Sequence, residues 1–389
     1  MLGEGTPSIA RAGSQAPPPS KPKARVPHVS LLGRRIQTPP NTQRPLRIRY
    51  LPCLLAISLT TAPAQAGSPL THPPILAYST HGPELNQPPV LGPTITAEGL
   101  KPGAPLKLIG YGDTRFTDPA NVTDTNPRMR RFLVDRIADE KPDALFETGD
   151  LPMTGSYPPD WTIFRSETAP WRQQNLRVYP AIGNHETASN IDKGIRNYLA
   201  AFPYLNNCRY YSVLLANVYL ISIDEFTSMA DRARQRSWLT AQLEHLPPQV
   251  DFVFFLDHMP LVADLQSQVA VGLPEKHETD LRTLLEHEQP KTHAKFVVLC
   301  GHIHNYERFE RSGITYIITG GGGAKPYPIY IRGPEDLYRD TRFPVFNYVV
   351  FLVHGRHADA TMYRVDNPSS TNPKMEPGEH FTLDAPPSH

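Results

Sequence analysis

Three cysteines in 389 residues are too few for a disulfide framework. They are Cys53, Cys208 and Cys300. Cys300 ends an apolar run and reads as a packed thiol; whether Cys208 meets it stays open. An excess of one charge is also missing. Lys and Arg number 39 against 38 Asp and Glu, so there is no bulk pull toward nucleic acid. No nucleic-acid motif, internal repeat or coiled-coil heptad is found. The apolar stretch at residues 51–62 has only 12 residues, too short for a typical membrane-spanning helix.

What the chain has in plenty is proline, 43 in all, crowded into residues 16–105 and again after about residue 366. Proline-rich flanks read as extended or disordered chain. The expected organisation is a leader at 1–66, a Pro-rich extended segment at 67–104, a compact domain at 105–356, and a partly disordered tail at 357–389. The leader holds the three parts of a secretory signal at 44–66. Arg44, Arg47 and Arg49 form the positive start, residues 51–62 the apolar stretch, and Ala64-Gln65-Ala66 the cleavage region. It is displaced from Met1, and the true start is expected to lie later. The expectation is a secreted or periplasmic protein with no stable membrane span after cleavage.

From Leu106 onward, short apolar runs alternate with helical patterns. "LKLIGYG" (106–112), "DALFETG" (143–149), "LRVYPAIG" (176–183), "VYLISID" (218–224), "VDFVFFLDH" (250–258) and "AKFVVLC" (294–300) read as strands. "ITYIITGGGG" (314–323) and "NYVVFLV" (347–353) follow. "RMRRFLVDRIAD" (128–139) places Phe132, Leu133, Ile137 and Ala138 near one helical face, and residues 231–246 turn Trp238, Leu239 and Leu243 inward. This alternation predicts an α/β fold with sheets buried on both faces.

In such folds ligands bind beyond the carboxyl ends of strands. Five of these strands end in ligand-type residues: Asp113, Asp150, Asn184 with His185, His258, and His302 with His304. Each alone has an ordinary reading as a turn, a cap or a rim histidine. Together, carboxylates, an amide oxygen and imidazoles suit Zn, Mn or Fe. Two such ions about 3.5–4 Å apart clamp an in-line displacement, and metal binding brings a water's pKa to about 7. His185, beside Asn184, is suited to donate a proton rather than to ligate.

"GD" at 112–113, "GD" at 149–150, "GNHE" at 183–186, "DH" at 257–258 and "GHIH" at 301–304 resemble the ordered motifs of calcineurin-like metallophosphoesterases. "GHIHNYER" and "QRSWLTAQL" (235–243) resemble the purple acid phosphatase branch more narrowly. The resemblance covers about residues 106–325. It implies a four-layer α/β/β/α sandwich holding two divalent or trivalent metal ions (Fe, Zn or Mn). Asp150 would bridge both ions. Asn184, His258 and His302 would complete one site, and Asp113 and His304 would belong to the other. His185 would be the general acid or stabilise the phosphate. The implied reaction is hydrolysis of a small phosphomonoester by in-line attack of a metal-bound hydroxide. A phosphodiesterase with the same metals, or a phosphate-binding protein of weak catalysis, are the alternatives.

Two departures bear on these alternatives. The family usually places a His two residues after the first Asp, where this chain has Arg115. The purple branch supplies a Tyr three residues after the second Asp, where this chain has Met153, and Tyr157 has the wrong spacing. The first site is therefore one ligand short. Arg115 reads either as a planar fork for the substrate phosphate or as a salt bridge to a surface acid. "GGGG" (320–323) lacks the Lys-Ser/Thr of a P-loop and reads as a flexible turn bordering the metal loops.

Overall fold

The computed structural model describes residues 92–101, 103–271 and 274–387. The candidate export segment at 44–66, Cys53 and the proline-rich stretch up to residue 91 lie outside the described residues. Among the described residues, no helix is long and apolar enough to cross a membrane.

The described chain opens with β1 (Ile95–Thr96), β2 (Leu106–Tyr111), α1 (Pro127–Glu140), β3 (Ala144–Glu147), α2 (Pro158–Glu167), α3 (Ala169–Gln173) and β4 (Arg177–Pro180). It continues through α4 (Ile191–Ala201), β5 (Tyr211–Leu215), β6 (Val218–Ser222), α5 (Met229–Glu244) and β7 (Phe252–Leu256). Next come α6 (Leu265–Val271), α7 (Lys276–Glu288), β8 (Lys295–Cys300), β9 (Tyr306–Arg311) and β10 (Ile314–Thr319). β11 (Asn347–His354), β12 (His357–Asp366) and β13 (Lys374–Asp384) complete the fold. One sheet has the order β1-β5-β6-β7-β8-β10-β9, the other β13-β12-β11-β2-β3-β4.

Apolar runs without polar alternation arise because both faces of each central strand are covered. In the first sheet, Val218 and Leu220, Phe252 and Phe254, and Val297 and Leu299 enter the core between the sheets. Their neighbours Tyr219 and Ile221, Val253 and Phe255, and Phe296 and Val298 enter a second core on the opposite face. That face is roofed by Trp238, Leu239 and Leu243 of α5 and by Leu281 and Leu285 of α7. Between the sheets, the Phe254 ring lies 5.5 Å from Phe146 of β3 and 5.1 Å from Phe351 of β11. On the far side Trp171 of α3 meets Tyr111 of β2 edge-on at 6.2 Å, and its indole donates to the Val134 carbonyl of α1. The layers are thus α/β/β/α.

Helix α1 starts where Asn126 accepts from the Met129 amide and Pro127 occupies the first turn. It stops at Lys141, whose backbone is left-handed. It buries Met129, Leu133, Val134, Ile137 and Ala138, while Phe132 is only partly covered.

The domain is wider than the proline distribution implied. β1 lies inside the segment expected to be merely extended, and pairs in parallel with Val213 and Leu214 of β5. The tail after residue 356 is not a disordered end: β12 and β13 form the edge of the second sheet. Ala358, Ala360 and Met362 alternate inward, joined by Leu383. Pro377 sits in edge strand β13 beside the register shift at Met362/Tyr363, a position where a missing amide is tolerated. Cys208 and Cys300 are both free and buried.

Met362 has no solvent exposure. Met362→Ala is therefore expected to lower the unfolding free energy by about 2–5 kcal/mol, read by urea titration. A change within about 0.5 kcal/mol would mean that this strand does not pack.

Candidate metal centre

The loops after β2, β3, β4, β7 and β8 converge. The loops after β2 and β3 run side by side, with the Asp113 amide on the Gly149 carbonyl (3.0 Å) and the Arg115 amide on the Asp150 carbonyl (2.9 Å). The Gly301 amide donates to the His258 carbonyl, joining the loops after β7 and β8. Asp113, Arg115, Asp150 and His302 all hold left-handed backbone, with φ of 57°, 46°, 58° and 66°. Such conformations cost energy for residues with a Cβ and cluster at functional sites.

Four donor atoms face one another. The Asn184 amide oxygen lies 2.9 Å from His258 Nε2 and 3.1 Å from His302 Nδ1, and these two nitrogens are 3.3 Å apart. Asp150 Oδ1 lies 3.4 Å from His258 Nε2. His258 donates its Nδ1–H to the Thr148 carbonyl at 2.8 Å, which leaves the Nε2 lone pair facing inward. Burial, the largest cause, holds the His258 imidazole below its ordinary pKa and that of His302 at about 4. Burial opposes ionisation of Asp150, yet the surrounding positive charge and N–H groups, the Arg115 guanidinium and the His185 amide among them, outweigh it and keep this carboxyl below the usual range. The set therefore presents a carboxylate, an amide oxygen and two neutral imidazoles. Lone pairs this close repel unless a cation lies among them, so the residues fit a borderline metal ion.

Asp113 and His304 form a neighbouring pair beside this set. His304 Nδ1–H donates to the Lys325 carbonyl at 2.7 Å. Its Nε2 is buried without a hydrogen-bond partner, 3.5 Å from Asp113 Oδ1. Ligand atoms of Asp113, Asp150 and His258 come within 4.8 Å of one another. Burial first, then the Asp150 charge, pushes the Asp113 carboxyl well up.

His185 stands at the rim. Its Nδ1 is 2.5 Å from the Met153 carbonyl, and its Nε2 is 3.9 Å from Asp150 Oδ2. Arg115 does not pair with a surface acid: its Nη2 reaches the fully buried Asp150 Oδ2 at 3.2 Å. Tyr157 is exposed and takes no part. The four glycines at 320–323 do border the site, but as a packed loop rather than a flexible turn. A Cβ at Gly322 would come 2.1 Å from the Gly112 carbonyl, and one at Gly320 2.2 Å from that of Ile303.

Sequence reasoning missed three neighbours. Glu186 accepts from the amides of Asp150 (3.0 Å), Leu151 (2.8 Å) and Gly183 (2.8 Å), tying two loops together. Burial and then the Asp150 charge push its carboxyl up to about 8. It closes the "GNHE" motif, so the signal was there to be used. Tyr327 stacks on His304 at 4.4 Å, and Phe226 meets the His258 ring at 5.9 Å; nothing in their spacing marks them.

Residues 116–306 match the model of the calcineurin-like phosphoesterase family. The chain carries a calcineurin-like phosphoesterase domain. The matched span of this domain includes Asp150, Asn184, His258, His302 and His304, and begins just after Asp113 and Arg115. Purple acid phosphatase 21 of Arabidopsis thaliana is 26% identical over 243 residues, covering 56% of this chain and 50% of the relative. The chain thus spans about half the length of the curated relative it matches. Among solved structures, purple acid phosphatase PPD1 from yellow lupin seeds aligns with a TM-score of 0.54 and 17% identity, over 73% of this chain and 55% of that one. GAP50, titled the anchor in the inner membrane complex of Plasmodium, aligns at 0.51 with 13% identity, over 72% and 89%. At these identities the structures bear on the calcineurin-like phosphoesterase fold alone.

A Cβ on Gly183 would come 2.4 Å from Asp150 Oδ1. Gly183→Ala is expected to displace that oxygen and weaken metal binding about 10–100-fold, measured by calorimetric titration. Unchanged affinity would remove Asp150 Oδ1 from the donor set.

Proposed function

We propose that this chain hydrolyses phosphomonoesters in a metal-dependent reaction. The single observation that carries the reading is the inward-facing set of Asp150, Asn184, His258 and His302. Asp113 and His304 are the donors that the family resemblance assigns to a second ion. A bound ion supplies Lewis-acid polarisation of a phosphoryl oxygen and a lowered pKa for water.

The chain's own residues supply the rest. Arg115 spends one N–H on Asp150 and keeps others for phosphate oxygens. His185, with Nδ1–H on the Met153 carbonyl, has Nε2 free to carry a proton toward the reacting group. In the proposed step, water adds to phosphorus and gives up one proton to solvent, the ester P–O bond breaks, and a doubly protonated His185 passes its Nε2 proton to the departing oxygen. Two cationic or donor side chains at the rim suit a dianionic monoester better than a monoanionic diester. We also propose export, on the strength of residues 44–66 alone.

His185→Ala is expected to keep its metal content and to lower kcat on an aryl phosphomonoester by about 10²–10⁴-fold. Metal loss in this variant would make His185 a ligand instead. Faster turnover of an aryl diester by the natural protein would favour the phosphodiesterase reading, and none by metal-loaded protein would favour a binding protein. N-terminal sequencing of the natural protein is expected to begin after Ala66; a mature chain beginning before residue 44 would end the export reading.

A further inference from the structure

We propose that the Arg115 guanidinium is a built-in cation occupying the place of a first metal ion, so that the centre takes one exchangeable metal per chain. The inference rests on the metal-centre reading above and departs from the two ions implied by the family resemblance. The two oxygens of Asp150 are already divided. Oδ1 faces His258 and accepts the His185 amide at 2.9 Å, while Oδ2 takes Arg115 Nη2 at 3.2 Å. The oxygen that would bridge to another ion therefore carries a guanidinium.

Charge balance points the same way. Asp113 and Asp150 are fully buried with ligand atoms within 4.8 Å of each other. Two carboxylates so placed can both be ionised only with positive charge nearby. The Arg115 side chain is 13% exposed, and a guanidinium does not give up its charge. Its backbone is locked: its amide donates to the Asp150 carbonyl, its carbonyl accepts from Arg130, and Arg130 is forked onto Glu167 at 2.7 and 2.9 Å.

The donors left for an ion on that side are few. Asp113 Oδ1 and His304 Nε2 lie 3.5 Å apart there; with Asp150 they make three protein donors, and the Asp150 oxygen on offer, Oδ2, already accepts from Arg115. Met153 supplies its carbonyl to His185, and its side chain has no oxygen. Arg115 Nε–H and His304 Nε2 are both buried without partners. One is a donor and the other an acceptor, so each is left to meet a polar group from outside the chain.

The test is metal stoichiometry, read without reference to turnover. The full chain is saturated with Mn²⁺, freed of excess by gel filtration, and analysed by mass spectrometry and electron paramagnetic resonance. One ion per chain with the signal of an isolated Mn²⁺ is expected. Arg115→His is expected to take two ions with an exchange-coupled signal, and Arg115→Lys to stay at one. Two ions in the unaltered chain would overturn the inference while leaving the metal-centre reading intact. No ion at all would overturn that reading as well. One ion in both the unaltered chain and Arg115→His, with the variant shown folded by circular dichroism, would mean that Arg115 is not what excludes the second.

Discussion

The carboxylate of Asp150 is the point on which the centre depends. It is fully buried and kept ionised, a state that burial alone would forbid. What permits it is a ring of compensations: the His185 amide on one oxygen, the Arg115 guanidinium on the other, and His258 alongside. Remove these and the carboxyl would take a proton and cease to be a metal donor. The loops around it are shaped to supply these compensations.

That shaping reaches into the backbone. Asp150 sits in a left-handed conformation, and Glu186 clamps the amides of Asp150, Leu151 and Gly183 with one carboxyl group. The clamp makes the loops after β3 and β4 one unit. The imidazoles are set by the same logic from farther out: Thr148 and Lys325 carbonyls hold the Nδ1 protons of His258 and His304, so both Nε2 lone pairs face inward. Between them the sheets act as a rigid frame, with Phe254 wedged between Phe146 and Phe351.

Arg115 changes the chemistry of that frame. A metal ion can exchange, and its loss switches a site off; a guanidinium is permanent and directional. On the proposed reading, a centre with one of each would retain positive charge beside Asp150 whether or not an ion is bound. Its match to the family begins one residue after Arg115, so the departure lies at the edge of the shared pattern.

Much of this was legible in the chain itself. Unbroken apolar runs such as "FVFFL" and "FVVLC" marked strands covered on both faces, because only a doubly buried strand dispenses with alternation. Polar residues ending those runs come together in the candidate centre, since a strand's carboxyl end aims its loop at whatever lies beyond the sheet. Composition misled at the edges. Prolines suggested loose flanks, yet β1, β12 and β13 are sheet strands, because a few inward residues such as Met362 and Leu383 decide burial more than the average content of a segment. Only the tertiary structure decided what Arg115 touches, that Glu186 ties the loops, and that Tyr327 lies on His304. Residues 35 or 36 positions apart, as Arg115 and Glu186 are from Asp150, have no periodicity to link them; distance in space is fixed by how the sheets stack, and side-chain charge finds its partner only after that stacking is made.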